Sequence, residues 1–316
     1  MTGGLLREQS RRPDLPFRMT PHTSLIDEAL QCFRQEVNAE LSRLMEPQTG
    51  IPDRLLESMS YRLLAGGKRL RPLLVLLACE TCGGDRASAL PAACALEMIH
   101  TYSLIHDDLP SMDNDDYRRG RKTNHVVYGE ALAILAGDAL LTQAFEVVAR
   151  DVRPPEVAAL CCLDLARAAG AAGMVGGQVA DLEAEGKVLG SMDALEAIHR
   201  RKTGALLECS LSMGARIAEG TEEQRLALTH YGRCLGLAFQ ITDDLLDVRG
   251  TQVATGKGVG KDAARGKQTY PSLMGVEASQ MRAELLVAEA VESLSMFGER
   301  ARPLETLARF VLDRDH

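Results

Sequence analysis

Ser103-Leu104-Ile105-His106-Asp107-Asp108-Leu109-Pro110-Ser111-Met112-Asp113 closes an apolar, helix-periodic run that begins near Ala87. A second run of the same kind leads into Gln240-Ile241-Thr242-Asp243-Asp244-Leu245-Leu246-Asp247. Each stretch sets carboxylates at the end of a helix whose other residues are suited to burial. Unpaired buried carboxylates are costly. The pattern therefore predicts something cationic between the two clusters, and several divalent metal ions would fit.

Working outward, apolar residues recur at three- and four-residue spacing from about Ser24, with short breaks and no sustained strand-like alternation. Helices are expected at 25–44, 52–65, 71–79, 87–106, 129–150, 155–174, 192–218, 222–248, 270–275, 280–296 and 303–312. Gly66-Gly67, Pro110 and Arg249-Gly250 supply breaks. No linker is long enough to divide the chain, so residues 24–316 read as a single all-α domain. One acidic cluster per half suggests two helical halves around a shared central cavity. Residues 1–23, rich in Arg, Pro and Gly and without an apolar core, read as a disordered N-terminal extension and not a targeting peptide.

Composition agrees with helix. Tryptophan is absent and aromatics make up only 4% of the 316 residues, whereas strands favour aromatic and β-branched side chains. A net charge of −8 argues against nucleic-acid partners. The longest purely apolar runs, such as 73–79, are too short to span a bilayer, so a soluble, cytoplasmic protein is expected. The cysteines (Cys32, Cys79, Cys82, Cys94, Cys161, Cys162, Cys209, Cys234) read as reduced, buried small hydrophobes. Cys79 and Cys82 form a lone C-x-x-C with no partner pair at zinc spacing.

In the second cluster Asp243 and Asp247 are four apart and share a helix face, with Gln240 one turn back. Oxygen-only ligands point to a hard ion, Mg²⁺ or Mn²⁺. A solvated acidic face is the plainer alternative for this cluster taken alone. The first cluster says more, because Asp107, Asp108 and Asp113 are followed by Asn114-Asp115-Asp116-Tyr117-Arg118-Arg119-Gly120. Carboxylates beside paired arginines suit a polyphosphate, with metals on some oxygens and guanidinium groups on others. Asp115 and Asp116 read as supporting residues. Basic groups sit beside glycine at Gly66-Gly67-Lys68-Arg69-Leu70-Arg71-Pro72, Lys202-Thr203-Gly204, Thr255-Gly256-Lys257 and Gly266-Lys267-Gln268-Thr269-Tyr270-Pro271. Any one of these could be a surface turn. Together they suit phosphate, and none has the P-loop spacing. His100, two turns before Asp107, reads either as a core histidine or as a group sharing that aspartate's face.

These strings resemble the trans-isoprenyl diphosphate synthases (polyprenyl synthetases) from about Leu25 to the C-terminus. The match includes D-D-x-x-x-x-D with R-R-G, F-Q before D-D-x-x-D, G-G-K-R-x-R-P, K-T-G and G-K-x-T-Y-P, with no departure that would put activity in doubt. The resemblance implies an isoprenoid synthase helical bundle, usually a homodimer, that condenses isopentenyl diphosphate with allylic diphosphates. It implies Mg²⁺, three ions with substrate bound, at Asp107, Asp108, Asp113, Asp243, Asp244 and Asp247. Arg118, Lys202 and Lys257 would assist the allylic diphosphate. Lys68, Arg71, His100 and Arg119 would hold the isopentenyl diphosphate, and Lys267 is a further substrate-binding candidate. Thr203 and Gln240 would face the allylic cation, so Lys202, Thr203 and Gln240 are the catalytic candidates.

Product length is expected to depend on Tyr102, about 7.5 Å before Asp107 along the helix axis, and on the small Ser103. An aromatic there, together with the longer first motif, resembles bacterial farnesyl diphosphate synthases and implies a fifteen-carbon product. The alternatives are that Tyr102 is packing only, that the product has twenty carbons (geranylgeranyl diphosphate), that the chain is a class I terpene cyclase, or that it is a non-catalytic partner subunit. The paired D-D-x-x-D motifs and the full set of basic residues speak against the last two.

Overall fold

The computed structural model describes residues 21–187, 190–249 and 268–313. Within them the chain is a helical bundle: α1 Pro21–Leu44, α2 Asp53–Leu63, α3 Leu70–Thr81, α4 Arg86–Asp107, α5 Asn124–Tyr128, α6 Glu130–Asp151, α7 Pro155–Ala169 and α8 Met174–Ala184. There follow α9 Met192–His199, α10 Ala205–Ile217, α11 Glu222–Arg249, α12 Tyr270–Met274, α13 Val276–Ser293 and α14 Arg302–Leu312. One two-stranded antiparallel hairpin, β1 Tyr117–Arg118 with β2 Arg121–Lys122, interrupts the helices.

The centre is made by α3, α4, α10 and α11. Helix α4 packs on α3 and α6, α10 on α3 and α11, and α11 on α13. Their shared core is leucine-rich, with Leu74, Leu76, Met98, Ile99, Leu206, Leu211, Leu235 and Ile241 all fully buried. Helices α3 and α10 approach closely because Gly214 has no side chain. A Cβ there would lie 2.3 Å from the Val75 carbonyl oxygen. The two acidic helices, α4 and α11, thus both belong to the interior, as their apolar runs predict.

The loop between α2 and α3 is fixed by one buried cation. Arg69 adopts a left-handed backbone (φ 51°) at the N-terminus of α3. Its guanidinium donates to Glu97 Oε1 on α4 at 2.6 Å, to the Leu63 carbonyl oxygen at 2.6 Å and to Asn38 Oδ1 on α1 at 3.0 Å. Four helices therefore meet on one side chain, and Lys68 and Arg71 are positioned on either side of it.

Several expected boundaries are corrected. The helix expected over 155–174 stops at Ala169, where Gly170 breaks it, and a separate α8 follows that periodicity did not separate from the loop after it. The single helix expected over 192–218 is divided by a π-helical turn, Arg200–Gly204, between α9 and α10. An added residue per turn leaves the apolar spacing on either side intact, so the sequence pattern does not show it. The segment 280–296 is helical from Val276 to Ser293 and then passes into a 3₁₀ turn, Ser295–Ala301. The short α5 and the hairpin were not anticipated. Helix α1 begins at Pro21, inside the expected extension, and residues 1–20 lie outside the described residues. Cys32 is exposed, not buried. Burial raises the Cys79 thiol to about 12 and the Cys82 thiol to about 11, so neither is poised as a thiolate. Two segments, Glu130–Asp151 and Pro155–Ala184, are long and apolar enough by composition to cross a bilayer, although no purely apolar run is. The second is broken between α7 and α8.

The π turn is seated on α8. A Cβ at Gly177 would lie 2.3 Å from the Lys202 backbone nitrogen and 2.7 Å from its Cα. These are backbone atoms that cannot rotate away. Gly177→Ala is expected to cost about 1–3 kcal/mol of stability by overpacking, read as a lower urea midpoint at unchanged m-value. An unchanged midpoint would contradict this close approach.

Candidate active site

The first wall is built at the C-terminal end of α4. Asp107 is the last helical residue, and Asp108 caps the helix. Pro110 cannot continue the helix. The chain instead folds back, with the Asp113 N–H donating to the Asp107 carbonyl oxygen at 2.8 Å and the Asn114 N–H to that of Leu109 at 3.0 Å. Asp113 is thereby returned toward Asp107. The turn of the hairpin is Arg119-Gly120, with φ values of 53° and 73°. Two left-handed residues suit a tight two-residue hairpin, and this turn sends its two arginines in different directions.

Arg118 points back at the carboxylates. Its Nε donates to Asp108 Oδ1 at 2.6 Å, and Nη2 lies 4.0 Å from both Asp113 and Asp115. Asp108 is buried, and its Oδ2 accepts no hydrogen bond among the described residues. Burial pushes the Asp107 carboxyl up to about 6, with Lys202 opposing the rise and Asp113 adding to it. Negative charge at a helix C-terminus is further disfavoured by the helix dipole. Arg118 and Lys202 oppose the cost of burying charge on this wall without cancelling it at Asp107.

Arg119 points the other way, toward the loop between α2 and α3. Its Nη1 donates to the Gly66 carbonyl oxygen at 3.3 Å and occupies the space of a Cβ on Gly67, only 2.3 Å from where that atom would be. Beside it are two half-orphaned guanidinium groups: Arg71 Nε and Arg62 Nη2 are buried without an acceptor among the described residues. Burial lowers both arginines to about 10. His100 belongs to this group. Burial and then the charges of Arg71, Arg119, Arg118 and Arg62 hold its imidazolium form well below the usual histidine range, so the ring is neutral. Lys68 is exposed in the same loop. Such a concentration of desolvated cations suits an anion with several oxygens.

The second wall comes from the π turn and α11. Lys202 Nζ donates to Asp181 Oδ2 on α8 at 2.7 Å, and its charge also acts on Asp107. Thr203 Oγ1 donates to Gln240 Oε1 at 3.3 Å. Gln240 Nε2 in turn makes a long contact of 3.5 Å to Asp244 Oδ1, while Asp244 Oδ2 accepts from the Tyr270 N–H at 3.0 Å. Asp244 is buried and thus ties α12 to α11. Asp243 and Asp247 are half-buried one turn apart, as their spacing predicts. Lys257 and Lys267 lie outside the described residues.

The structure joins Asp107, Asp108, Asp113 and Arg118 in one group, His100, Arg71 and Arg119 in a second, and Lys202, Thr203, Gln240 and Asp244 in a third. Tyr102 is buried below Asp107, edge-on to His106 at 5.7 Å, and the Asp107 charge helps raise its phenol. Ser103 Oγ donates to the His100 carbonyl oxygen at 2.9 Å. Sequence reasoning missed Asp181, Arg62 and the Arg69–Glu97 pair. Asp181 could have been found, since it stands one helical turn after Gly177, had the segment been read as a helix. Arg62 and Glu97 carry no local signal, because their burial depends on which helices meet.

The donor set fits a hard divalent cation. It is oxygen-only and supplied by carboxylates at or just past the ends of two helices. The polyprenyl synthetase family matches residues 52–296. The farnesyl diphosphate synthase of Geobacillus stearothermophilus is 47% identical over 294 residues, covering 92% of this chain and 98% of that protein. The geranylgeranyl diphosphate synthase of Cyanophora paradoxa is 49% identical over 269 residues, covering 84% and 90%. The apo crystal structure of an FPP/GFPP synthase from Zymomonas mobilis superposes with a TM-score of 0.83 at 38% identity, covering 92% of this chain and 99% of that one. With its two aspartate walls carried on the central helices of an all-α bundle, the chain belongs to the polyprenyl synthetase family.

Proposed function

We propose that this prenyltransferase condenses isopentenyl diphosphate with dimethylallyl and geranyl diphosphates and releases the fifteen-carbon farnesyl diphosphate. One observation carries the reading. Helix α4 holds two anion-binding chemistries: cation-seeking carboxylates at Asp107, and an arginine-lined neutral imidazole at His100. Seven residues separate them, about 10 Å along the axis. Two diphosphates can thus be held side by side without sharing counter-charges.

Asp107 and Asp113 would hold Mg²⁺ from one wall, and Asp243 with Asp247 from the other, Asp108 and Asp244 serving through the partners that fix them. When bound, Mg²⁺ (three ions with substrate, or Mn²⁺ in its place) neutralises the departing diphosphate so that the allylic C–O bond can ionise. Lys202 adds an ammonium facing the same aspartate. The Thr203 hydroxyl spends its proton on Gln240, which leaves its oxygen lone pairs free to face the allylic cation. Arg71, Arg119 and His100 orient the second diphosphate, so the isopentenyl double bond attacks that cation. The released diphosphate then takes the proton that leaves as the new double bond forms.

Tyr102 supports the shorter product, because a buried aromatic below the aspartates leaves little depth for a growing chain. The relatives carry the names of both fifteen- and twenty-carbon synthases, so this one residue does most to separate the two readings. A homodimer fits the apolar side chains left exposed on α5 and α6, among them Val127, Ile134 and Leu135. The direct test is incubation with isopentenyl diphosphate, Mg²⁺ and each allylic primer, with products sized after dephosphorylation. Farnesol from both primers is expected. Consumption of farnesyl diphosphate without isopentenyl diphosphate would point instead to a cyclase.

Two further outcomes are expected. Tyr102→Ala should shift the product to twenty carbons or longer, and an unchanged product on chromatography would remove Tyr102 as the floor. The second concerns pH. The folded Asp107 pKa is raised from 3.8 to about 6. Its ionisation therefore lowers the stability of the metal-free fold progressively as pH rises through that window, and bound metal offsets the loss. The melting-temperature gain from Mg²⁺ with diphosphate should then be larger above about pH 6 than below it, and it should vanish in the Asp243→Asn/Asp247→Asn variant. An equal gain on both sides would contradict the assignment.

A further inference from the structure

Away from the aspartates, α11 carries His230 and Cys234, four residues apart and hence on one face, opposite Glu289 of α13. Cys234 Sγ lies 3.7 Å from His230 Nε2 and 3.8 Å from Glu289 Oε2. All three potential ligand atoms fall within 4.8 Å of one another. Bond lengths of about 2.0–2.3 Å in a tetrahedral zinc site give ligand–ligand edges of roughly 3.3–3.6 Å. Two edges are therefore close to those of a formed site, and the third needs only a side-chain adjustment. His230 and Glu289 are exposed, so they can make it, while the buried cysteine is fixed.

We infer that His230, Cys234 and Glu289 form a binding site for one zinc-class transition metal ion that staples α13 to α11. The ligand chemistry separates this site from the active site. A mixed nitrogen, sulfur and oxygen set selects borderline-soft ions such as Zn²⁺ or Co²⁺, whereas carboxylates alone select Mg²⁺. His230 stands ten residues before Gln240, about 15 Å away along α11. The nearby cations are already engaged, Arg233 by Glu208 at 2.9 Å and Arg282 by Glu196 at 3.8 Å. They leave Glu289 and the sulfur to balance the metal. Burial and then Glu289 hold the free thiol up at about 11, so it is the incoming metal that displaces the thiol proton to solvent as the metal–sulfur bond forms. A fourth position remains for water. The bound ion would hold the outer helix against the one that carries Asp243 and Asp247.

The test uses the full-length protein, reduced, stripped with chelator and then saturated with Mg²⁺ so that hard-ion sites are filled. Titration with Co²⁺ should produce a thiolate-to-cobalt charge-transfer band and tetrahedral visible bands that saturate at one equivalent and disappear on adding Zn²⁺. Cys234→Ser should lose the charge-transfer band. His230→Gln and Glu289→Gln, both at exposed positions that leave the fold intact, should no longer saturate at one equivalent. Zn²⁺ should raise the melting temperature of the unaltered protein and not that of His230→Gln. Absence of the band, or a band undiminished in all three variants, would overturn the site.

Discussion

Burial of Asp107 at the end of a core helix disfavours its charged form unless positive charge is brought to it. Asp107 closes α4, and Asp243 and Asp247 stand in the last turns of α11, so backbone dipoles add to the repulsion. Much of the site follows from answering that constraint. The chain turns back through a left-handed Arg119-Gly120 hairpin so that Arg118 reaches Asp108. The π turn carries Lys202, whose ammonium donates to Asp181 and whose charge acts on Asp107, and Gly177 gives up its side chain so that α8 can support that turn. On the proposed function, metal ions and a polyphosphate complete this arrangement.

The same economy appears on the anion side. Arg62 and Arg71, with the more exposed Arg119, gather around a histidine whose charged form is disfavoured first by burial and then by their charges. Buried guanidinium groups without acceptors are unfavourable in the free protein. On the proposed function this local cost preorganises binding, and the Arg69–Glu97 pair holds the loop in place. A helix bundle suits this arrangement because α4 fixes the separation between Asp107 and His100, while α2, α3 and the hairpin bring the arginines around His100.

How much of this could be read from the chain depended on whether the signal was local. The aspartates, Arg118-Arg119-Gly120, Lys202-Thr203 and Gln240 each announce themselves by residue type and spacing, and the all-α bundle follows from periodicity. The division of labour among the aspartates was not legible. Asp108 and Asp244 look like their neighbours in sequence, yet one is held by Arg118 and the other by the Tyr270 N–H, contacts set by tertiary packing. Asp181, Arg62 and Glu97 were missed for the same reason. The π turn was invisible because apolar spacing resumes unchanged on either side of it.

The most direct measurement is a crystal structure of the protein with Mg²⁺, isopentenyl diphosphate and a non-ionising thio analogue of the allylic diphosphate. Metal ions are expected to be ligated by Asp107 and Asp113 on one side and by Asp243 and Asp247 on the other, all touching the allylic diphosphate. The second diphosphate should lie metal-free among Arg71, His100 and Arg119. Metal on one aspartate cluster only, or the isopentenyl diphosphate bound away from His100, would contradict it.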